Sequence, residues 1–145
     1  MITKFSQGEI NQIMEIWLDT NITAHHFIPE QYWQDHYNIV KEQYMPIAET
    51  FVYKQGGDSQ VEGFISIIEK SFIGALFVKK ESQGKGIGLN LIEHCKTLYP
   101  ALELAVYVEN EGAVKFYKYC GFAIKVEQMN ADSGFREYIM RWEKQ

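Results

Sequence analysis

The chain has 145 residues, 46% hydrophobic and 23% charged, with 14% aromatic and a net charge of −5. That length suits one globular domain spanning 1–145 with a substantial core, and an acidic balance without a basic tract argues against a nucleic-acid partner. No apolar run approaches the ~20 residues of a membrane span, and Met1-Ile2-Thr3-Lys4-Phe5 lacks a signal-peptide core, so the expected setting is cytoplasmic with no membrane partner.

In chain order, Ile2–Phe5 reads as a short edge strand. Ser6 and Glu9 have capping-box spacing, and Ile10, Ile13, Met14, Trp17 and Leu18 form a helical stripe that breaks over Thr20–Phe27. Pro29 suits the first position of a second helix carrying Tyr32, Trp33, Tyr37, Val40 and Tyr44 and ending near Pro46. Strands follow at Thr50–Tyr53 and Val61–Glu69, joined by a hairpin turn at Gly56-Gly57-Asp58. Ser71–Val78 should pair with the second of these in a further hairpin. Beyond it come a helix from Ile87 to Leu98 and a strand at Leu102–Val108. A helix follows from Glu111 to Cys120, with Asn110 as N-cap and Gly121 at C′. Phe122–Met129 and Arg136–Trp142 close the chain as a strand pair around Asn130-Ala131-Asp132-Ser133-Gly134. Cys95 and Cys120 both fall in helical patterns. With four scattered histidines they form neither a disulfide framework nor a zinc site, so no metal is expected and both read as buried reduced thiols.

The most informative segment is Gln83-Gly84-Lys85-Gly86-Ile87-Gly88, between the apolar run ending at Val78 and a helical stripe of Ile87, Leu91, Ile92, Cys95 and Leu98. A strand, a glycine-rich turn and a helix N-terminus make an anion site. Unpaired N–H groups of the first turn point outward, and glycines let a phosphate or pyrophosphate approach them. A P-loop requires Ser or Thr after Gly-Lys, but Gly86 follows Lys85. A dinucleotide fingerprint begun at Gly84 and Gly86 requires glycine where Leu89 stands.

What remains, Gln83 followed by Gly86 and Gly88, resembles the acyl-CoA pyrophosphate loop of the GCN5-related N-acetyltransferases (GNAT). Downstream, Asn110, Ala113, Phe116 and Tyr117, followed by Gly121-Phe122, resemble the second pattern of that superfamily. The likeness is good from about Ile73 to Phe122 and looser in the N-terminal third. It implies an α/β fold with a mixed, mostly antiparallel sheet flanked by helices, in the order β-α-α-β-β-β-α-β-α-β-β. Periodicity alone supports only a mixed α/β chain.

The resemblance also implies a function. An acetyl group moves from acetyl-CoA, a cosubstrate, to a primary amine of a protein lysine or a small molecule. The transfer is a direct attack in a ternary complex, on a monomer or homodimer. Cofactor contacts carry over to Phe77 and Val78 along the pantetheine arm, where a bulge would splay their strand from the next. They also carry over to Gln83, Gly84, Lys85, Gly86, Ile87, Gly88 and Leu89 at the pyrophosphate, and to Asn110 and Tyr117. Asn110 reads equally as a helix cap. Tyr117 matches the family tyrosine that protonates the departing thiolate, although its position alone also suits a half-buried core tyrosine. His25-His26-Phe27-Ile28 with Tyr32-Trp33 resembles a subgroup of small bacterial members, some associated with protein N-lysine acetylation. His25, Phe27, Tyr32, Trp33 and Phe72 are therefore candidate acceptor contacts, and a packed inter-helix loop is the alternative for the first four. Trp17 and Tyr107 read as core that can reach the cleft.

Phe72 and Ala105 stand where many relatives carry a glutamate base, and neither takes a proton. Glu103, Glu69 or water remain as substitutes. The gap matters because a lysine of pKa ~10.4 is neutral in about one molecule in 2,500 at pH 7, a penalty of ~4.6 kcal/mol. For the same reason a non-catalytic acyl-CoA-binding sensor with this fold stands as the alternative.

Overall fold

In the computed structural model, which describes residues 1–55 and 60–145, an edge strand β1 (Ile2–Lys4) leads into helix α1 (Ile10–Ala24). The capping pair lies ahead of this helix: Ser6 N–H donates to Glu9 Oε1 at 2.9 Å across a 3₁₀ turn at Gln7–Glu9. The helix does not break at Thr20 as expected but continues through Ala24. Asn21 is buried there with its Nδ2 donating to the Trp17 carbonyl at 2.9 Å, so a polar residue sits inside without an unmet donor.

Helix α2 (Glu30–Ile39) has Pro29 at the N-cap, one residue earlier than expected, and leaves α geometry before Pro46. The chain widens into a π turn at Val40–Tyr44 and tightens into a 3₁₀ turn at Met45–Ile47, because Pro46 has no N–H to continue the helical ladder.

Strands β2 (Glu49–Lys54), β3 (Val61–Ile68) and β4 (Phe72–Val78) form an antiparallel meander. The Gly56-Gly57-Asp58 turn lies outside the described residues. Between β3 and β4, Glu69 and Lys70 take φ of 54° and 64°, the left-handed pair of a two-residue hairpin turn. Helix α3 (Ile87–Leu98), β5 (Ala101–Tyr107), α4 (Glu111–Tyr119), β6 (Ala123–Met129) and β7 (Arg136–Glu143) complete the chain. Cys120 is the C-cap of α4 rather than its last residue, and Gly121 follows at φ 96°.

Among the described residues seven strands lie in the order β1-β2-β3-β4-β5-β7-β6, antiparallel throughout except for β4 beside β5. Alternation divides the core between two faces. Leu102, Leu104 and Val106 turn toward α3 and α4, joining Leu91, Ile92 and Val114. On the other face Val52 and Phe64 meet Ile13, Met14, Trp17 and Trp33 of α1 and α2, with the two indoles edge to face at 6.0 Å. Each such side chain removed from water contributes roughly 1.5–3 kcal/mol before conformational entropy is counted. Cys95 and Cys120 are free and buried, and burial pushes their thiols up to about 12 and about 11, respectively.

Candidate active site

The parallel ladder between β4 and β5 has only two rungs, Phe72 with Glu103 and Ile73 with Leu104. Past them the strands part. On its other side β4 stays bound to β3, where the register skips Gly74 between Ile73 and Ala75. A Cβ at Gly74 would lie 2.7 Å from Ile68 Cδ1, so the bulge lies close against the neighbouring strand. β5 is meanwhile held along its length by β7. The bulge thus sits at Gly74, earlier than the Phe77-Val78 position expected, and it frees backbone groups of both strands to face a cavity of about 670 Å³.

One end of that cavity is the glycine loop. Gly84 and Gly86 take φ of 80° and 82°, which L side chains rarely adopt, and open space surrounds both Cα atoms. Gly86 is the N-cap of α3, and the N–H of Asn90 is bonded back to the Gly86 carbonyl at 3.0 Å. By helix geometry, the N–H groups ahead of it emerge unpaired. Gln83 Nε2 donates to the Val78 carbonyl at 3.0 Å and so closes the loop onto β4. Gln83, Gly84, Gly86, Ile87, Gly88 and Leu89 line the cavity together with Phe77 and Val78, whereas Lys85 stands exposed outside the lining.

Tyr117 lines the cavity from α4, packed against Phe116 and Phe122 at ring separations of 5.4 and 5.9 Å. Its hydroxyl makes no hydrogen bond among the described residues. Burial, with a smaller contribution from Cys120, raises its pKa, so it stays protonated through the neutral range. Asn110 does two things. Its Oδ1 accepts from Ala113 N–H at 3.3 Å, capping α4, and its Nδ2 lies 3.2 Å from His25 Nε2. Because the cap uses the oxygen, the amide donates to Nε2, which fixes His25 as the neutral tautomer protonated on Nδ1. Burial pushes His25 down to about 4, with the Asn21 carbonyl opposing, although Nδ1 makes no well-formed hydrogen bond.

Of the acceptor candidates, Phe72, His25 and Trp33 line the cavity, and so do Trp17 and Tyr107. Phe27 stands behind Tyr107 at 5.8 Å, outside the lining. Tyr32 is also outside. Its hydroxyl donates to Asp132 Oδ2 at 2.6 Å, the same oxygen that His36 Nε2 meets at 2.8 Å, tying α2 to the β6–β7 loop. Tyr32 lines a smaller space of about 360 Å³ that shares Trp17, Phe72, Gly74, Ala75 and Asn130 with the main cavity.

Neither substitute base is in the lining. Glu103 pairs with Arg141 at 3.3 Å, and Glu69 is exposed in the hairpin turn. Sequence reasoning missed Asn130 and Glu137, which do line the cavity. Local pattern placed Asn130 in a turn and Glu137 in the last strand; the register of β5 on β7 brings Glu137 in, and Asn130 comes with it through their hydrogen bond. Among the described residues no group of His, Cys, Asp and Glu stands as a metal site, and no helix is long and apolar enough to cross a membrane.

Comparison with known proteins adds the lineage. Residues 19–144 match the family described as Acetyltransferase (GNAT) domain. Peptidyl-lysine N-acetyltransferase YiaC of Escherichia coli (strain K12) is 32% identical over 142 residues, covering 98% of this chain and 96% of that protein. Peptidyl-lysine N-acetyltransferase YjaB of Salmonella typhimurium is 31% identical over 122 residues, covering 84% and 81%. Among solved structures, apo-form YjaB from Escherichia coli superposes with a TM-score of 0.85 at 24% identity, covering 100% of this chain and 98% of that one. PaiA N-acetyltransferase from Thermoplasma acidophilum, solved in complex with coenzyme A, gives 0.82 at 18% identity with 99% and 98% covered. With the family matched over residues 19–144 and a relative similar along nearly the whole chain, the protein belongs to the GCN5-related N-acetyltransferase superfamily and is an acetyltransferase of that family.

Proposed function

We propose that the protein, acting as one domain over 1–145, moves an acetyl group from acetyl-CoA to the ε-amine of a lysine in a protein or peptide, by direct attack in a ternary complex. The observation that carries this is the continuity of the cavity. A single space of about 670 Å³ runs from the glycine loop past Tyr117 to Phe72, Ala105 and Tyr107, so donor and acceptor can meet inside it. The names of relatives at 30–32% identity support lysine as the acceptor.

The site fits acetyl-CoA in kind. The left-handed glycines and the α3 N-terminus suit a pyrophosphate, and the freed edge of β4 at Phe77 and Val78 suits an arm that binds like an added strand. Acetyl-CoA supplies an acyl group activated as a thioester. Gly84, Gly86, Ile87, Gly88 and Leu89 then present backbone N–H groups to the anion, while Gln83 holds the loop against Val78. Lys85 adds positive charge from the rim, and Asn110 keeps α4 in place beside the arm. Tyr117 donates its proton toward the sulfur as charge develops there. A phenol of reference pKa ~10 facing a thiol near ~8.5 stabilises the departing thiolate without ionising first. Phe72, Trp33 and His25 form the apolar walls against which the lysine stem can lie.

The experiment is release of CoA thiol from acetyl-CoA across lysyl peptides, peptides with only a free α-amine, and polyamines. Release with lysyl peptides at the highest kcat/KM is the expected result. Tight acetyl-CoA binding without release on any member would overturn the catalytic proposal, and a polyamine preference would overturn the acceptor.

A further inference from the structure

Glu137 is 7% exposed, on the cavity side of β7 and across from Tyr107 of β5. It is the one carboxylate among the described residues that line the cavity, and no lysine or arginine lines it. Gln128 Nε2 donates to its Oε2 at 2.8 Å and Asn130 Nδ2 to its Oε1 at 3.0 Å. The Asn130 amide is not free to turn, because its Oδ1 accepts from the N–H groups of Asp132 and Ser133 at 2.9 and 3.0 Å. A carboxylate has about four acceptor positions, so each oxygen keeps capacity for another donor. Glu137 forms no ion pair among the described residues; the neighbouring Arg136 is taken by Glu127. Buried carboxylates are otherwise found with a cation or a full set of donors. What this one lacks is a cation, and the cavity is where one can arrive.

Its placement follows from the register. Glu137 lies directly across from Tyr107 on β5, with Ile139 across from Ala105. Cross-strand partners share a face, and a diagonal neighbour lies ~7–8 Å away, within reach of a glutamate side chain. Glu137 therefore shares with Ala105, one strand over, the sheet face that lines the cavity.

We propose that Glu137 binds the ammonium of the incoming lysine and takes its proton. The proposal rests on the lysine-acetylation function above and names the group that function left open. An ammonium N–H bond breaks, the proton passes to a Glu137 oxygen, and the nitrogen keeps the electron pair. That nitrogen forms the C–N bond as the C–S bond breaks, and the thiolate takes the Tyr117 proton; the nitrogen then gives up its second proton, which restores the Tyr117 phenol, and Glu137 releases the first to solvent. Gln128 and Asn130 are positioning residues. The ionisable groups on the surrounding elements are Tyr107 on β5, Asp132 with its partners Tyr32 and His36, and His25 after α1.

The test uses the full chain and a blocked lysyl peptide beside its norleucine counterpart. In the parent, kcat/KM should level off well below the lysine pKa of ~10.4. Glu137→Gln should lower it ~10²-fold or more at pH 7 and let the profile climb toward ~10.4, with the acetyl-CoA thermal shift unchanged. Glu137→Asp should recover part of the loss. With CoA bound, calorimetry should find the lysyl peptide ~10-fold tighter than norleucine in the parent and equal to it in Glu137→Gln, as expected if a charge pair is removed. A folded Glu137→Gln within twofold of the parent, with the same pH profile, overturns the proposal. If that variant does not fold, full activity in Glu137→Asp overturns it instead. A parent that favours lysine through Glu137 yet never transfers acetyl refutes the function while leaving the ammonium site. Transfer that is indifferent to Glu137 does the reverse.

Discussion

Replacing Gly86 by Asp and, separately, by Asn tests the glycine loop. The two side chains have nearly the same shape, both tolerate a φ of 82° better than other non-glycine residues, and open space surrounds the site. They differ by one negative charge beside the proposed pyrophosphate. At ~5 Å, that charge opposes each phosphate charge by roughly 1 kcal/mol in water and roughly 3 kcal/mol at an effective dielectric constant of 20. A 100-fold loss of affinity, about 2.7 kcal/mol, lies inside that range. For 145 residues, an unfolding entropy of ~2.1 cal/mol/K per residue makes 1 kcal/mol worth ~3 °C in Tm. Acetyl-CoA at 100 times the parent Kd should stabilise the parent by ~2.7 kcal/mol, a shift of ~9 °C. At the same concentration Gly86→Asp should gain ~0.4 kcal/mol, or ~1 °C. Gly86→Asn, weakened ~10-fold by its bulk alone, should gain ~1.4 kcal/mol, or ~5 °C. Differential scanning fluorimetry with and without acetyl-CoA reads all three. An Asp variant shifting as far as the parent would refute the loop as the anion site. Equal shifts in Asp and Asn would refute the electrostatic part of the reasoning.

Tyr117→Phe should lower turnover ~10²–10³-fold with little change in acetyl-CoA affinity. Its Tm should hardly move, since the hydroxyl leaves no partner behind among the described residues. Turnover within twofold would make Tyr117 a packing residue. His25 predicts a pH dependence of stability. Its folded pKa, about 4, lies below the ordinary 6.5, so between those values the unfolded chain binds a proton that the folded chain does not. Stability should therefore fall as pH drops from 6.5 to 4, by roughly 3 kcal/mol if His25 acts alone. Urea titrations should register that loss, and His25→Leu should flatten it; an unchanged slope in the variant would refute the assignment.

Several elements were readable because their cause is local. Gly84 and Gly86 announce left-handed backbone, and Asn110 with Gly121 brackets α4 by capping chemistry that spans a few residues. The Thr20–Phe27 stretch misled because its polar residues imply a helix end, whereas Asn21 meets its own needs on the Trp17 carbonyl and faces the cavity. Pro29 is compatible with both the N-cap and the first helical turn, so pattern alone leaves it one residue adrift. The His25–Trp33 cluster looked like one surface, yet packing divides it. His25 and Trp33 reach the cavity, Phe27 supports Tyr107 from behind, and Tyr32 is drawn away to Asp132.

The chain order of strands and helices, the glycine-rich turn and the helix carrying Tyr117 are properties of contiguous segments, since side-chain period, glycine φ and capping act within a few residues. The split between β4 and β5, the neutral tautomer of His25 and the arrival of Glu137 are not. Each depends on groups apart in sequence: β5 is held by β7, beyond α4 and β6, while β4 stays with its hairpin partner β3, His25 meets Asn110 across 85 residues, and Glu137 is set opposite Tyr107 by strand register. A one-residue slip of β7 would turn Glu137 to the opposite face with no change in any local propensity. Only the packed sheet, which sets Met140 in the core on one face of β7 and Glu137 at the cavity on the other, decides that register.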